Sequence, residues 1–150
     1  MSDPPERRAR PQRAAFNVFR AISTRWMDND HYGHVNNVTY YSWFDTAVNG
    51  YLLEATGLDI RSLPAIGLVV ESGCHYFSPL SFPDAIEVGL AVERLSTRSV
   101  SYQLGVFRAG ETQAAAAGHF VHVYVDRTTR TPTPVPEPIR VALRPLVGQQ

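Results

Sequence analysis

The sequence predicts an α+β domain in which one long helix packs against a single antiparallel five-stranded sheet. Three observations carry that expectation. The run from Val38 to Thr56 repeats its apolar residues at three- and four-residue spacing. Five other runs alternate apolar with polar residues or are rich in β-branched and aromatic ones. The last three of these are separated by short polar linkers of hairpin length.

The elements follow in order. Phe16 to Trp26 places Phe16, Val18, Ile22 and Trp26 on one parity, which predicts a first strand. A polar stretch follows, and Asn36 or Asn37 can then cap a helix through a side-chain oxygen. In "VTYYSWFDTAVNGYLLEATG" one apolar stripe runs Tyr40, Phe44, Ala47, Tyr51 and another Val38, Tyr41, Val48, Leu52. Two stripes predict a helix buried on more than one side, with Gly57 as its left-handed stop. Leu68 to Phe77 and the alternating Ala85 to Leu95, Ser99 to Phe107 and Gly118 to Val125 predict four further strands. "STR" (96–98) and "AGE" (109–111) make the last three an antiparallel meander, and "IRVALRPL" predicts a short terminal helix. A helix apolar on two sides needs a sheet that wraps it, and the exposed back of that sheet calls for a second subunit.

At 150 residues the chain is one domain. Residues 1–14, with Pro4, Pro5 and Pro11 among charges, are expected to form a disordered tail, and residues 15–150 the single folded domain. Fourteen basic residues balance fourteen acidic ones, so no net field draws the protein to nucleic acid or to an anionic membrane. All fourteen bases are Arg, which excludes a phosphate-loop lysine and a Schiff-base lysine. A single cysteine, Cys74, excludes an intrachain disulfide and fits a reducing, cytoplasmic setting, where it packs as a small hydrophobe. The N-terminus has no continuous apolar core of a signal peptide. The run from Val38 to Leu53 is broken by Asp45, Asn49 and Gly50, so no membrane helix is expected.

The chemistry concentrates in "RWMDNDHYGHVNN", Arg25 to Asn37. Asp28, Asp30 and Gly33 begin a calcium loop, but Tyr32 and Thr39 stand where its fifth and twelfth ligands belong. His31 and His34 with either Asp offer a weak zinc set lacking an anchor, for which His75, His119 and His122 are the candidates. No metal is expected. Neither a G-x-S-x-G elbow nor a glycine-rich phosphate loop is present. A different use joins the stretch to the helix behind it. The first amide N–H groups of a helix are unpaired and carry the positive end of its dipole, suited to a developing oxyanion. Asp30 lies one short loop upstream, and Gly33 lets the backbone turn to bring a carboxylate beside that helix end. A carboxylate facing a polarised carbonyl suffices for acyl transfer, as nucleophile or as general base on water. Asp28 is expected to serve the turn, and Glu71 to be a solvated strand residue. Tyr40 belongs to the core and, if an acyl tunnel runs beside the first helical turns, lines it. Arg98, with Arg127 and Arg130, offers cations for a nucleotide.

"DNDHYGHVNNVTYYSWFD" resembles the D-x-D-x-x-G-H-V-N-N-x-x-Y signature of hotdog-fold acyl-CoA thioesterases, the 4-hydroxybenzoyl-CoA thioesterase-like superfamily. "VVESGCHYFSPLSFPDAIEV" and "VHVYVDRTTRTPTPVPEP" are similar to its second strand and its exit from the last strand, so the likeness covers roughly Phe16 to Pro138. The resemblance implies a sheet wrapped around the central helix, dimers whose sheets join, often paired into tetramers, and active sites between subunits. It implies Asp30 as the catalytic carboxylate and the backbone amide of Asn37 as the group polarising the thioester carbonyl, with no cofactor. It leaves Gly33, His34 and Asn36 as the shape of the substrate loop. Plant-type relatives carry Asn two residues after the catalytic Asp, where this chain has Tyr32. The expected function is acyl-CoA hydrolysis. The alternatives are a non-catalytic acyl-CoA binding or sensing module and a hydratase.

Overall fold

The computed structural model describes residues 9–148. Strand β1 (Val18–Ser23) leads through a turn into α1 (Asn37–Thr56), and β2 (Ala65–Tyr76), β3 (Ala85–Leu95), β4 (Ser99–Arg108), β5 (Ala116–Asp126) and α2 (Glu137–Leu143) follow. The five strands form one antiparallel sheet in the order β1-β3-β4-β5-β2. The meander of β3, β4 and β5 occupies the centre, which leaves β1 and β2 as the edges. This is the hotdog arrangement, α+β, as the element order and the resemblance implied. Among the described residues no helix is long and apolar enough to cross a membrane.

Local chemistry sets the helix ends. Asn36 caps α1, its side-chain oxygen accepting the Val38 N–H at 3.2 Å, and Gly57 closes it at φ +65°. Between them Tyr40, Trp43, Phe44, Ala47, Val48 and Leu52 are buried, recurring every three or four residues against the sheet. The two stripes merge into one broad face. Val38 lies beyond it and is 64% exposed. Gly118 on β5 lets the helix approach closely, since a Cβ there would overlap the Phe44 ring. The layer between helix and sheet is filled by Val88, Leu90, Tyr102, Leu104 and Phe120, each nearly inaccessible to water.

Strand starts shift by two or three residues: β1 begins at Val18 rather than Phe16, β2 at Ala65 rather than Leu68 and β5 at Ala116 rather than Gly118. Three further differences have a visible cause. Trp26 does not continue the first strand; it starts a 3-10 turn (Trp26–Asp28) and is 78% exposed, edge-on to Phe82. The turn between β4 and β5 spans residues 109–115, longer than "AGE", because Thr112, Gln113 and Ala114 pair with the N-terminal segment. Of the expected tail 1–14, residues 1–8 lie outside the described residues, and residues 10–14 are docked. The Arg10 Nε–H donates to the Ala114 carbonyl at 2.6 Å and the Arg13 N–H to the Thr112 carbonyl at 2.7 Å. The Arg13 guanidinium lies 4.8 Å from the Phe19 ring centre and 4.9 Å from that of Phe107. Charge and aromatic contact therefore order a segment whose composition alone argues for disorder.

Candidate active site

The polar loop is built around two carboxylates with different surroundings. Asp28 is 1% exposed. Its Oδ2 accepts the Arg25 N–H at 2.7 Å, its Oδ1 accepts the Arg25 guanidinium at 2.9 and 3.1 Å, and its main-chain carbonyl accepts the Asn36 N–H at 2.8 Å. Both oxygens are thus occupied, as expected of a residue that serves the turn. Asp30 is half-buried, and its Oδ1 accepts the N–H of Tyr32 at 2.9 Å and, more weakly, that of His34 at 3.4 Å. Its Oδ2 has no hydrogen-bond partner among the described residues.

Gly33, at φ +84°, closes the turn, its N–H donating to the Asp30 carbonyl at 3.1 Å. The Asp30 N–H in turn donates to the His34 carbonyl at 2.8 Å. Ser81, from the segment between β2 and β3, donates its hydroxyl to the Gly33 carbonyl at 2.7 Å, and Asn29 accepts the Phe82 N–H at 3.0 Å. The loop is held from both sides.

Beside it, at the N-terminus of α1, opens a cleft of about 290 Å³. His34, Asn37, Tyr40, Tyr76, Ser78 and Pro79 are among the residues lining it. Asn36 and Thr39 supply the key to its chemistry. The Val38 N–H goes to the Asn36 side chain and the Thr39 N–H to the Asn36 carbonyl at 2.9 Å, whereas the Asn37 N–H has no acceptor among the described residues. A free amide at the positive end of a 20-residue helix thus lies at a partly apolar cleft, suited to binding a developing oxyanion.

Two side chains near the cleft are held protonated. Burial pushes the Tyr40 hydroxyl up to about 12 and the Cys74 thiol up to about 11, so neither ionises near neutrality. Cys74 is a packing residue rather than a nucleophile.

Of the residues singled out in the sequence, His34, Asn37 and Tyr40 line one cleft, while Gly33 and Asn36 adjoin these in the chain, as the turn and the helix cap, without lining it. Asp30 stands one loop turn away and is not among the lining residues. Arg98 is not brought to them: it lies in the β3–β4 hairpin, where its carbonyl accepts the Tyr124 N–H, at the opposite end of the sheet from Tyr76. Glu71 points to the outer face, 3.6 Å from His119. The histidines considered as zinc anchors do not converge, because His122 is buried on the helix side of β5 while His119 faces the other way. Tyr76, Ser78 and Pro79 were missed as cleft residues. Their signal was the apolar strand ending in "YFSP", directly before the segment that braces the loop.

The model of the thioesterase-like superfamily matches residues 24–143. The solved structure of the PA5185 protein from Pseudomonas aeruginosa strain PAO1 is 54% identical with a TM-score of 0.90, covering 94% of this chain and 99% of that one. The PA2801 protein of Pseudomonas aeruginosa, a putative thioesterase, is 31% identical with a TM-score of 0.74, covering 83% and 95%. The BH1999 gentisyl-coenzyme A thioesterase is 25% identical at the same TM-score, covering 84% and 99%. Among curated proteins none matches. The matched residues run from the polar loop through the helix and the whole meander to α2, so the chain belongs to the thioesterase-like superfamily and is a thioester hydrolase of the hotdog fold.

Proposed function

We propose that the protein is an acyl-CoA thioesterase in which Asp30 is the reacting carboxylate and the Asn37 N–H receives the oxyanion. The observation that carries the reading is the unpaired Asn37 amide at the cleft, with the Asp30 loop immediately upstream. As general base, Asp30 takes a proton from water while the water oxygen attacks the thioester carbon. The carbonyl oxygen becomes an oxyanion held by the Asn37 N–H, and its collapse expels the CoA thiolate, which is then protonated. As nucleophile, Asp30 instead attacks the thioester carbon, and the C–S bond breaks to release the CoA thiolate. Water then cleaves the resulting acyl-aspartyl anhydride to the free acid and the restored carboxylate. The free Oδ2 and the long His34 bond leave the carboxylate able to turn toward the cleft. Gly33, His34, Asn36 and Tyr40 shape and line the substrate site, and hydrolysis of a thioester by a carboxylate and water needs no cofactor. The single cysteine fits a cytoplasmic setting.

The working unit is a homodimer joined along β2, or a pair of such dimers. Supporting this, β2 is an edge strand whose outer side pairs with no strand among the described residues and which exposes Leu68, Val69, Val70 and Tyr76, and such an edge invites self-pairing. Antiparallel pairing of two β2 strands lays the N-terminal half of one beside the C-terminal half of the other. Arg98, Arg127 and the chain around Ala65 lie at one end of the sheet and Tyr76 at the other. Self-pairing thus brings one copy's arginines toward the other's cleft, where CoA phosphates need cations.

Hydrolysis of a panel of acyl-CoAs by wild type and Asp30→Asn tests the reading. Asn keeps an acceptor for the Tyr32 and His34 amides, so the loop stays folded while the carboxylate is lost. The expected result is turnover of at least one ester and a fall of about 10²–10⁴ in kcat. Turnover unaffected by the change, or acyl-CoA bound and recovered uncleaved, refutes it.

A further inference from the structure

The docked N-terminal segment carries a cation to the edge of the cleft. The Pro11 carbonyl accepts the Ala114 N–H at 3.0 Å and the Arg13 N–H donates to the Thr112 carbonyl at 2.7 Å, so residues 11–13 run along the turn between β4 and β5. The Arg10 side chain is thereby laid across to the segment that follows β2. Its Nε–H donates to the Ala114 carbonyl at 2.6 Å and its Nη2 to the Ser78 hydroxyl oxygen at 3.1 Å, with the guanidinium carbon 6.0 Å from the centre of the Phe77 ring. Phe77 and Ser78 both line the cleft. Arg10 also borders an open hollow of about 400 Å³, together with Gln12, Gly110, Glu111, Thr112 and Gln113. The guanidinium therefore stands between the cleft and the hollow.

The charges around it are otherwise matched. Arg108 reaches the same segment, its Nη2 donating to the Pro79 carbonyl at 3.3 Å, but it is paired with Asp84 at 3.3 Å and with Glu111 at 2.9 Å. Arg13 pairs with Glu87 at 3.0 Å. Glu111, the carboxylate of the hollow, is thus taken up by Arg108. Among the described residues no carboxylate pairs with Arg10. Its guanidinium donates to two uncharged oxygens, which leaves further N–H donors and the whole charge unused. A guanidinium fixed on uncharged acceptors beside a substrate cleft is prepared for an anion. Ser78 accepts from Arg10, so its own O–H is left to donate to the same anion.

We propose that Arg10, with the Ser78 hydroxyl beside it, binds a phosphate of CoA while the thioester lies in the cleft, and that the nucleotide rests over the adjoining hollow. The inference rests on the acyl-CoA thioesterase reading but needs no second copy. Tyr76, whose hydroxyl bonds the Asn37 carbonyl, marks the thioester end of the cleft. Ser78 is two residues further on, at most about 7 Å along the chain, and Arg10 lies beyond it. That order matches the ester, in which the pantetheine arm separates the thioester from the phosphates. A phosphate site therefore belongs outside the cleft wall, where Arg10 stands. A carboxylate on the acyl group belongs inside the cleft, whose lining among the described residues includes no Arg. CoA carries a pyrophosphate and a 3′-phosphate, so Arg10 and the arginines of a second copy are not alternatives.

Two measurements test this. The first is titration calorimetry of free CoA, which needs no turnover, on wild type, Arg10→Gln and Arg10→Lys. Arg10→Gln is expected to weaken CoA about tenfold, and Arg10→Lys to restore part of the loss through its charge. Equal CoA affinity in wild type and Arg10→Gln overturns the proposal. The second compares KM for the best-cleaved acyl-CoA of the panel with KM for the pantetheine thioester of the same acid, which lacks the phosphates. In Arg10→Gln the first is expected to rise about tenfold with kcat little changed, and the second to stay as in wild type. Equal rises for both esters mean that Arg10 only holds the N-terminal segment in place, and they overturn the phosphate site. A rise confined to acyl groups that bear a carboxylate overturns it too. CoA bound through Arg10 with no acyl-CoA cleaved refutes the acyl-CoA thioesterase reading and leaves the phosphate site standing.

Discussion

Tyr76 donates its hydroxyl hydrogen to the main-chain carbonyl of Asn37 at 3.1 Å, tying the last residue of β2 to the first residue of α1. The Tyr76 ring also packs edge-on to Tyr40, with centres 5.0 Å apart. The bond leaves the Asn37 N–H free and fixes the peptide that precedes the next turn. Tyr76→Phe keeps the ring contact and removes the bond, so stability is expected to fall by only about 1 kcal/mol. The proposed oxyanion donor, the Asn37 N–H, then loses its brace, and kcat is expected to fall about tenfold with KM little changed, read by steady-state hydrolysis beside a thermal melt. A kcat equal to that of wild type refutes the positioning role.

Asp28 offers the contrasting carboxylate. Replacing it with Asn puts an NH₂ group against the Arg25 amide and guanidinium, both of which are donors. The expected cost is about 2 kcal/mol, a drop of roughly 5 °C in melting temperature. Asp30→Asn, whose side chain keeps its acceptor oxygen, is expected to melt within about 2 °C of wild type. Calorimetry on the two variants checks the difference, and equal melting temperatures contradict it.

The approach of α1 to the sheet depends on Gly118. Gly118→Val places a branched side chain into the Phe44 ring, which a close-packed interior accommodates only by displacing the helix. A loss of more than about 3 kcal/mol is expected in urea unfolding. Phe44→Leu in the same chain should recover part of it, giving a coupling energy above about 0.5 kcal/mol in the double-mutant cycle. Strict additivity of the two losses contradicts direct contact.

His122 ties stability to pH. Its ordinary value is 6.5 and burial lowers it to about 4, so between those values the unfolded chain binds the extra proton. Stability is therefore expected to be full above pH 6.5 and to fall as the pH drops toward 4, by an amount on the order of 2–3 kcal/mol. In His122→Leu the urea midpoint should change less between pH 7 and pH 4.5 than in wild type. An equal change in both proteins assigns the acid sensitivity to other groups.

Much of this molecule is legible from local pattern alone. Asn36 and Gly57 bound α1 because caps act on neighbouring backbone, and the meander follows from period-two alternation and a three-residue linker. The residues of "DNDHYGHVNN" were recognisable as one unit because they are contiguous. What depends on distant partners was not legible. The sequence could not show that Asp28 is enclosed by Arg25 while Asp30 keeps a free oxygen, since both sit in the same polar stretch. It could not order residues 10–14, whose partners are Ala114, Thr112 and Phe107, about a hundred positions away. Nor could it place His122 in a hollow opposite Asn49 and Ile139, or set Arg98 at the far end of the sheet from the cleft. The sequence by itself determined which residues can cap, turn, alternate and react, because those are short-range properties of the chain. Only the tertiary structure decided which carboxylate keeps an oxygen without a partner, which amide stays unpaired and which histidine is buried without a partner, because burial and hydrogen bonding are settled where distant segments meet.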